Sequence, residues 1–184
     1  RQVYGYGMML QNKDLASLKN LFKEESKKIV DMNFTATKMK IGLGIDKDLE
    51  LVNSVRDSVG KDFKLMVDAN HAYTTPDALK LGKGLEGLNI YWFEEPVAPE
   101  DLNGYKELKS KLNINIAGGE AEFTRWGWNN LLKNNCIDIA QPEVCALGGI
   151  SEYLKVLNLA HTNFIPVINH VWGSAISAVS YTHL

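Results

Sequence analysis

Cysteine is scarce in this 184-residue chain, with Cys136 and Cys145 the only two. Their spacing fits no metal or redox motif, so two buried thiols in a reducing compartment are expected. No charge of one sign dominates: 20 Lys and Arg stand against 22 Asp and Glu, a net −2. That leaves no electrostatic case for nucleic acid or an anionic membrane as partner. No apolar run is long enough to span a bilayer, and no signal peptide is recognisable. The cytoplasm is the expected compartment. No strand-like run is followed by G-x-G-x-x-G or a P-loop, and "GLGID" (42–46) has too few glycines. An open doubly wound sheet with a nucleotide at its switch point is therefore the weaker fold alternative.

What is present is ordinary for a globular domain: 45% hydrophobic and 23% charged residues. Strand-like and helix-like runs alternate. Strands are predicted at 3–7, 36–42, 63–70, 90–93, 114–117, 137–141 and 164–168. Helices are predicted at 13–32, 46–60, 75–87, 99–111, 124–134 and 149–161, with a last one from about Gly173. Gly60 is a helix stop; Thr75 reads as an N-cap with Pro76 in the first turn. Such alternation implies a parallel sheet with right-handed crossovers, and seven units imply a β/α barrel of TIM type. The chain begins on "RQ" and ends on "SAVSYTHL". Both ends read as adaptor-derived. The expectation is a fragment, residues 1–184 being a partial barrel with strands one to seven, and with Arg1, Gln2 and Val179 to Leu184 foreign to it.

The stretch "NIYWFEEPVAPEDL" (89–102) points to the chemistry, because two carboxylates follow an apolar strand that Pro96 ends. Lys40, Asp68, Glu94, Glu120, Glu143 and His170 recur at intervals of 28, 26, 26, 23 and 27 residues. Each falls at the C-terminal end of a predicted strand, and in a barrel those ends ring one mouth. Asp68, Glu94 and Glu120 would repel one another unless a cation held them, and an all-oxygen set suits Mg²⁺. Glu95 has the opposite strand parity and is expected to turn away into a structural ion pair or hydrogen bond. Lys38 and Lys40 share one strand face, where mutual repulsion would free one lysine to act as a base. His170 would face Lys40 across the mouth, with Glu143 beside it to fix its tautomer. Asn70 and Tyr6 are candidate substrate contacts, as is Trp172; Tyr4 and His71 are weaker ones. Packing against helices is the preferred reading for Trp126 and for the Trp172 ring.

Six ordered motifs, "KMK" (38–40), "VDAN" (67–70), "FEEP" (93–96), "GGE" (118–120), "QPEVCALGG" (141–149) and "NHVWGS" (169–174), resemble the enolase superfamily in its mandelate racemase and muconate lactonizing branch. The resemblance implies that Asp68, Glu94 and Glu120 bind Mg²⁺, that Lys40 is a base assisted by Lys38, and that His170 is the opposite acid/base. It implies an N-terminal capping domain and a closing eighth strand, neither recognisable here, and a homo-oligomeric full-length protein. "MVDANHAYT", "YWFEEPVAPEDLNGY" and "HVWGS" resemble galactarolactone cycloisomerases and sugar-acid dehydratases. The family usually carries aspartate where this chain has Glu143. The implied activity is abstraction of the proton α to a sugar-acid or sugar-lactone carboxylate, followed by loss of a β-group. Racemisation or epimerisation is the alternative within the family. Outside it stand a metal-independent Schiff-base aldolase using Lys38 or Lys40, and a non-catalytic barrel.

Overall fold

The computed structural model describes residues 5–173 and 175–182. The chain forms two compact units, one running to Ala98 and including Lys111–Ile114, the other Pro99–Ser110 and the residues from Asn115 on.

The first unit alternates β1 (Gly5–Met8), α1 (Leu15–Asp31), β2 (Ala36–Lys40), α2 (Ile45–Val59), β3 (Lys64–Asp68), α3 (Thr75–Glu86) and β4 (Ile90–Glu94). β1 pairs with β2, β2 with β3 and β3 with β4, all parallel. The helices turn one apolar stripe inward: Leu18, Phe22 and Ile29 from α1, Leu51, Val52 and Val55 from α2, Leu81 and Leu85 from α3. Against them lie Met39, Leu65, Val67 and Phe93 of the strands. Residues on both faces of β2 and β3 are buried, as parallel strands require. α2 stops at Gly60 as expected, with φ 83° in the left-handed region. The α3 cap is Thr74, not Thr75; its side chain accepts from Asp77 N, and Pro76 falls within the first turn. Arg56 of α2 gathers loose backbone ends, donating to the carbonyls of Gly60, Phe63, Leu88 and Asn89.

The second unit carries α4 (Leu102–Lys111, its last residue counted with the first unit), β5 (Asn115–Gly118), α5 (Thr124–Lys133), β6 (Ile139–Ala140), α6 (Val144–Leu147), α7 (Ile150–Thr162) and α8 (Ala175–Thr182). β5 and β6 pair in parallel. The seventh strand expected at 164–168 is only a single bridge, Ala140 to Val167. Two residues explain the shortfall: Phe164 sits at φ 57°, and Pro166 has no N–H to give a ladder. The one-turn helix α6 was not foreseen; four residues show no periodicity. Cys136 is buried, but Cys145 is exposed, against the expectation of two buried thiols. Tyr181 lies in the stretch read as foreign, yet its ring packs edge-on to Tyr153, centroids 5.2 Å apart. Among the described residues no helix is long and apolar enough to cross a membrane.

Candidate active site

In the first unit, strand register builds the site. Lys40 pairs with Asp68 and Asp68 with Glu94, so the last residues of β2, β3 and β4 stand in one row. Parallel strands in register point such residues to the same side. Lys38 lies two residues deeper on the same face and is almost wholly buried. Its ammonium contacts Glu94 Oε1 and lies 3.1 Å from Asp68 Oδ2. Lys40 Nζ sits 2.5 Å from the same Asp68 oxygen and donates to Asn70 Oδ1. The reading of two lysines repelling each other is corrected here: carboxylates stand between them, and Asp68 bridges both ammonium groups. Burial pushes the Asp68 carboxyl up, but Lys38 and Lys40 outweigh it and hold the group below the usual aspartate range. Asn70 has left the strand, with φ 41°, so turn geometry and not strand parity aims its amide at Lys40.

Glu94 has a partner that the sequence reading missed. Trp92, buried on β4, donates Nε1–H to Glu94 Oε2 at 2.8 Å. The signal was present, since Trp92 and Glu94 share strand parity, but a tryptophan in an apolar strand reads first as core. Glu95 turns away as expected: its φ is 41°, it is buried, and its Oε2 lies 2.6 Å from His71 Nε2. His71 is thereby a structural partner. Tyr6 pairs with Lys38 through the backbone of β1 and β2. Its side chain, like Tyr4 as a whole, lies outside the described residues.

The second unit holds the histidine. Glu120, Glu143 and His170 do not end strands, as the sequence suggested; each lies in the loop just beyond β5, β6 or the Val167 bridge. His170 Nε2 is 3.0 Å from Glu120 Oε2, and Nδ1 is 3.1 Å from Glu143 Oε2. Glu143 caps α6, accepting from Cys145 N at 3.2 Å. It also accepts from Trp172 N at 2.8 Å, Ser177 Oγ at 3.0 Å and Tyr181 Oη at 3.2 Å. Burial raises the Glu143 carboxyl, but those donors together hold it below the ordinary glutamate value. A carboxylate on Nδ1 fixes the orientation of the ring and leaves Nε2 as the nitrogen that exchanges protons. The longer glutamate arm thus meets the imidazole. The packing expected of two indoles is corrected: Trp126 is 74% and Trp172 66% exposed, so Trp172 contributes its backbone amide here. Ser177 was missed, because nothing local marks a helical serine as a partner of a residue 34 positions away.

The first unit offers a lysine pair among carboxylates and the second a histidine between carboxylates, each suited to moving protons. Residues 21–184 match the family described as enolase C-terminal domain-like. The chain is 42% identical to D-galactarolactone cycloisomerase of Agrobacterium fabrum over 143 residues, 78% of this chain and 38% of that protein. It is 36% identical to arabinonate dehydratase of Saccharolobus solfataricus over 188 aligned positions, 100% of this chain and 49% of the relative. The crystal structure of the 3,6-anhydro-D-galactonate cycloisomerase from Zobellia galactanivorans superposes with a TM-score of 0.92 at 40% identity, covering 99% of this chain and 50% of that one. A racemase from Streptomyces coelicolor solved with bound magnesium matches with a TM-score of 0.84 at 30% identity, over 92% of this chain and 50% of its own. The chain spans about half or less of the length of these proteins. On a match that covers nearly all of its length, the chain belongs to the enolase C-terminal domain-like family, within the enolase superfamily.

Proposed function

We propose that the full-length protein is a Mg²⁺-dependent lyase or isomerase of acid sugars, with these residues forming a catalytic domain of β/α-barrel type. It removes the proton α to a sugar-acid or sugar-lactone carboxylate and then loses a β-group. The observation that carries the reading is the row Lys40, Asp68, Glu94 at three adjacent strand ends, with Lys38 beneath it. The relatives named as a galactarolactone cycloisomerase and an arabinonate dehydratase support the substrate class.

Asp68 and Glu94 fit a divalent cation. Their carboxylate oxygens lie within 4.8 Å of each other, they are hard oxygen donors, and cationic lysine nitrogens already sit against them. Glu120 is the third proposed ligand, on its place in the "GGE" motif. Mg²⁺, when bound, would supply positive charge for the substrate carboxylate as electrons move onto it. The α-proton is taken by Lys40 Nζ as the neutral amine, its ammonium having first released a proton to solvent, or by the neutral His170 imidazole. The enediolate so formed carries two negative charges on oxygen, and Lys38 is placed to stabilise that charge more than the single charge of the ground state. Glu143 holds His170 so that it gives a proton to the departing group. Departure of a lactone carboxylate opens the ring; departure of hydroxide, protonated to water, is a dehydration. A Schiff-base aldolase fits less well, because both lysine nitrogens are engaged by carboxylates.

The test is proton NMR of galactarate, galactarolactone and gluconate in D₂O with the full-length gene product. Loss of the α-proton signal is expected with Mg²⁺ and not with chelator, and Lys40→Met lowers the rate about 10²–10⁴-fold. No exchange over a broad panel of acid sugars would sink the reading. A racemase or epimerase is the second reading, favoured by a histidine held ready for proton transfer independently of the lysines. It shows itself as exchange without an elimination product.

A further inference from the structure

Asp48 is the fourth residue of α2 and is wholly buried. Its carboxylate turns back past the start of the helix. Oδ2 accepts from Gly42 N at 2.7 Å and Oδ1 from Leu43 N at 3.0 Å. Tyr73, in the loop after β3, donates its hydroxyl to Oδ2, and that hydroxyl accepts from Gly44 N at 3.2 Å. Three consecutive amides of the loop leaving β2 are thus held by one carboxylate and one phenol. Gly42, at φ 124°, lets that loop lie close on its neighbour: a Cβ there would stand 3.0 Å from Ala72 Cβ. Burial pushes the Asp48 carboxyl up in spite of these donors. A carboxylate in this place carries a desolvation cost that an apolar side chain would not. Its contribution is therefore geometric.

Lys40 lies two residues before Gly42, and Asn70 three before Tyr73. The Lys40 ammonium donates to Asn70 Oδ1, so the same two loops are joined twice. We propose that Asp48 and Tyr73 are positioning residues for Lys40: they lock the loops leaving β2 and β3 together, so that the ammonium stays between Asp68 and Asn70. The inference rests on the proposed proton abstraction, in which a base displaced by about 1 Å can lose on the order of 10²-fold in rate.

Tyr73→Phe in the full-length, Mg²⁺-loaded protein is the test, with Asp48→Asn as the second variant. Three quantities are read for each: the melting temperature, kcat and KM for α-proton exchange, and amide hydrogen exchange of the peptide containing Gly42 to Gly44. Tyr73→Phe is expected to melt close to the parent, hold KM within about twofold, lower kcat about tenfold and speed exchange of those amides. Asp48→Asn is expected to speed their exchange further. Unchanged kcat overturns the positioning role whatever the amides do, and so does a lower kcat with unchanged amide exchange. A purely structural part predicts instead that kcat is lost only in step with melting temperature, which also overturns it. A parent inactive on every acid sugar sinks the functional reading and the positioning role with it, while the amides still report whether the clamp exists.

Discussion

At the scale of single residues, polar groups stand against partners of complementary chemistry. Lys38 and Lys40 face Asp68 and Glu94, and Glu143 faces His170. The residue types were legible in the sequence, because a buried strand has no other use for them. Their partners were not, since a partner is a matter of distance. Trp92 shows this well. It reads as core, and it is core, but its indole N–H also satisfies one oxygen of buried Glu94. Trp92→Phe removes that donor and leaves a cavity where the second ring of the buried indole packed. Hydrogen bonds to charged groups contribute about 1.5–3 kcal/mol, so a loss of at least that size, with the cavity adding to it, is expected in urea unfolding. A variant as stable as the parent would mean that Glu94 finds another donor at no cost.

At the scale of elements, alternation and turn chemistry located nearly every helix and strand, with limits shifted by a few residues. Gly60 ended α2 as read, because a left-handed C-terminal position favours glycine. The misses fall where local signals are weak. β6 is only Ile139–Ala140, the seventh strand shrinks to one bridge, and α6 is a single turn nested in a loop. Gly119 carries a constraint that only the folded chain imposes. It follows β5 at φ 114°, and a Cβ there would fall 2.3 Å from Trp128 Cη2. Gly119→Ala is therefore expected to cost about 2–4 kcal/mol, from overpacking together with the unfavourable φ. The urea midpoint checks it; a midpoint equal to the parent's would show that Trp128 moves aside freely. In the sequence that glycine was only part of a motif.

At the scale of the whole molecule, buried carboxylates tie stability to pH. Asp68 and Glu143 are held below their ordinary values of 3.8 and 4.5. A lowered folded value means that the ionised form is favoured by folding. That contribution is complete above the ordinary value and is lost as pH falls through the folded one. Asp48 works in the opposite sense: its raised value gives a contribution complete below 3.8 and lost as pH rises. Asp14, Glu86 and Glu152 are lowered as well, and Glu25 and Glu122 raised; among the described residues, five lowered carboxylates against three raised ones predict a urea midpoint that declines below about pH 4, with Glu143→Gln flattening the decline. A parent midpoint level down to about pH 2 would contradict this. The α/β class, the parallel order of the strands and the identity of the charged residues were legible from the chain alone, because periodicity, turn residues and buried charge are local properties. That Lys40, Asp68 and Glu94 stand in one row, that Asp68 bridges two lysines, and that Glu143 holds His170 follow from the folded arrangement. Register and side-chain reach join residues far apart in the chain, and distance in space is fixed only once the strands have paired.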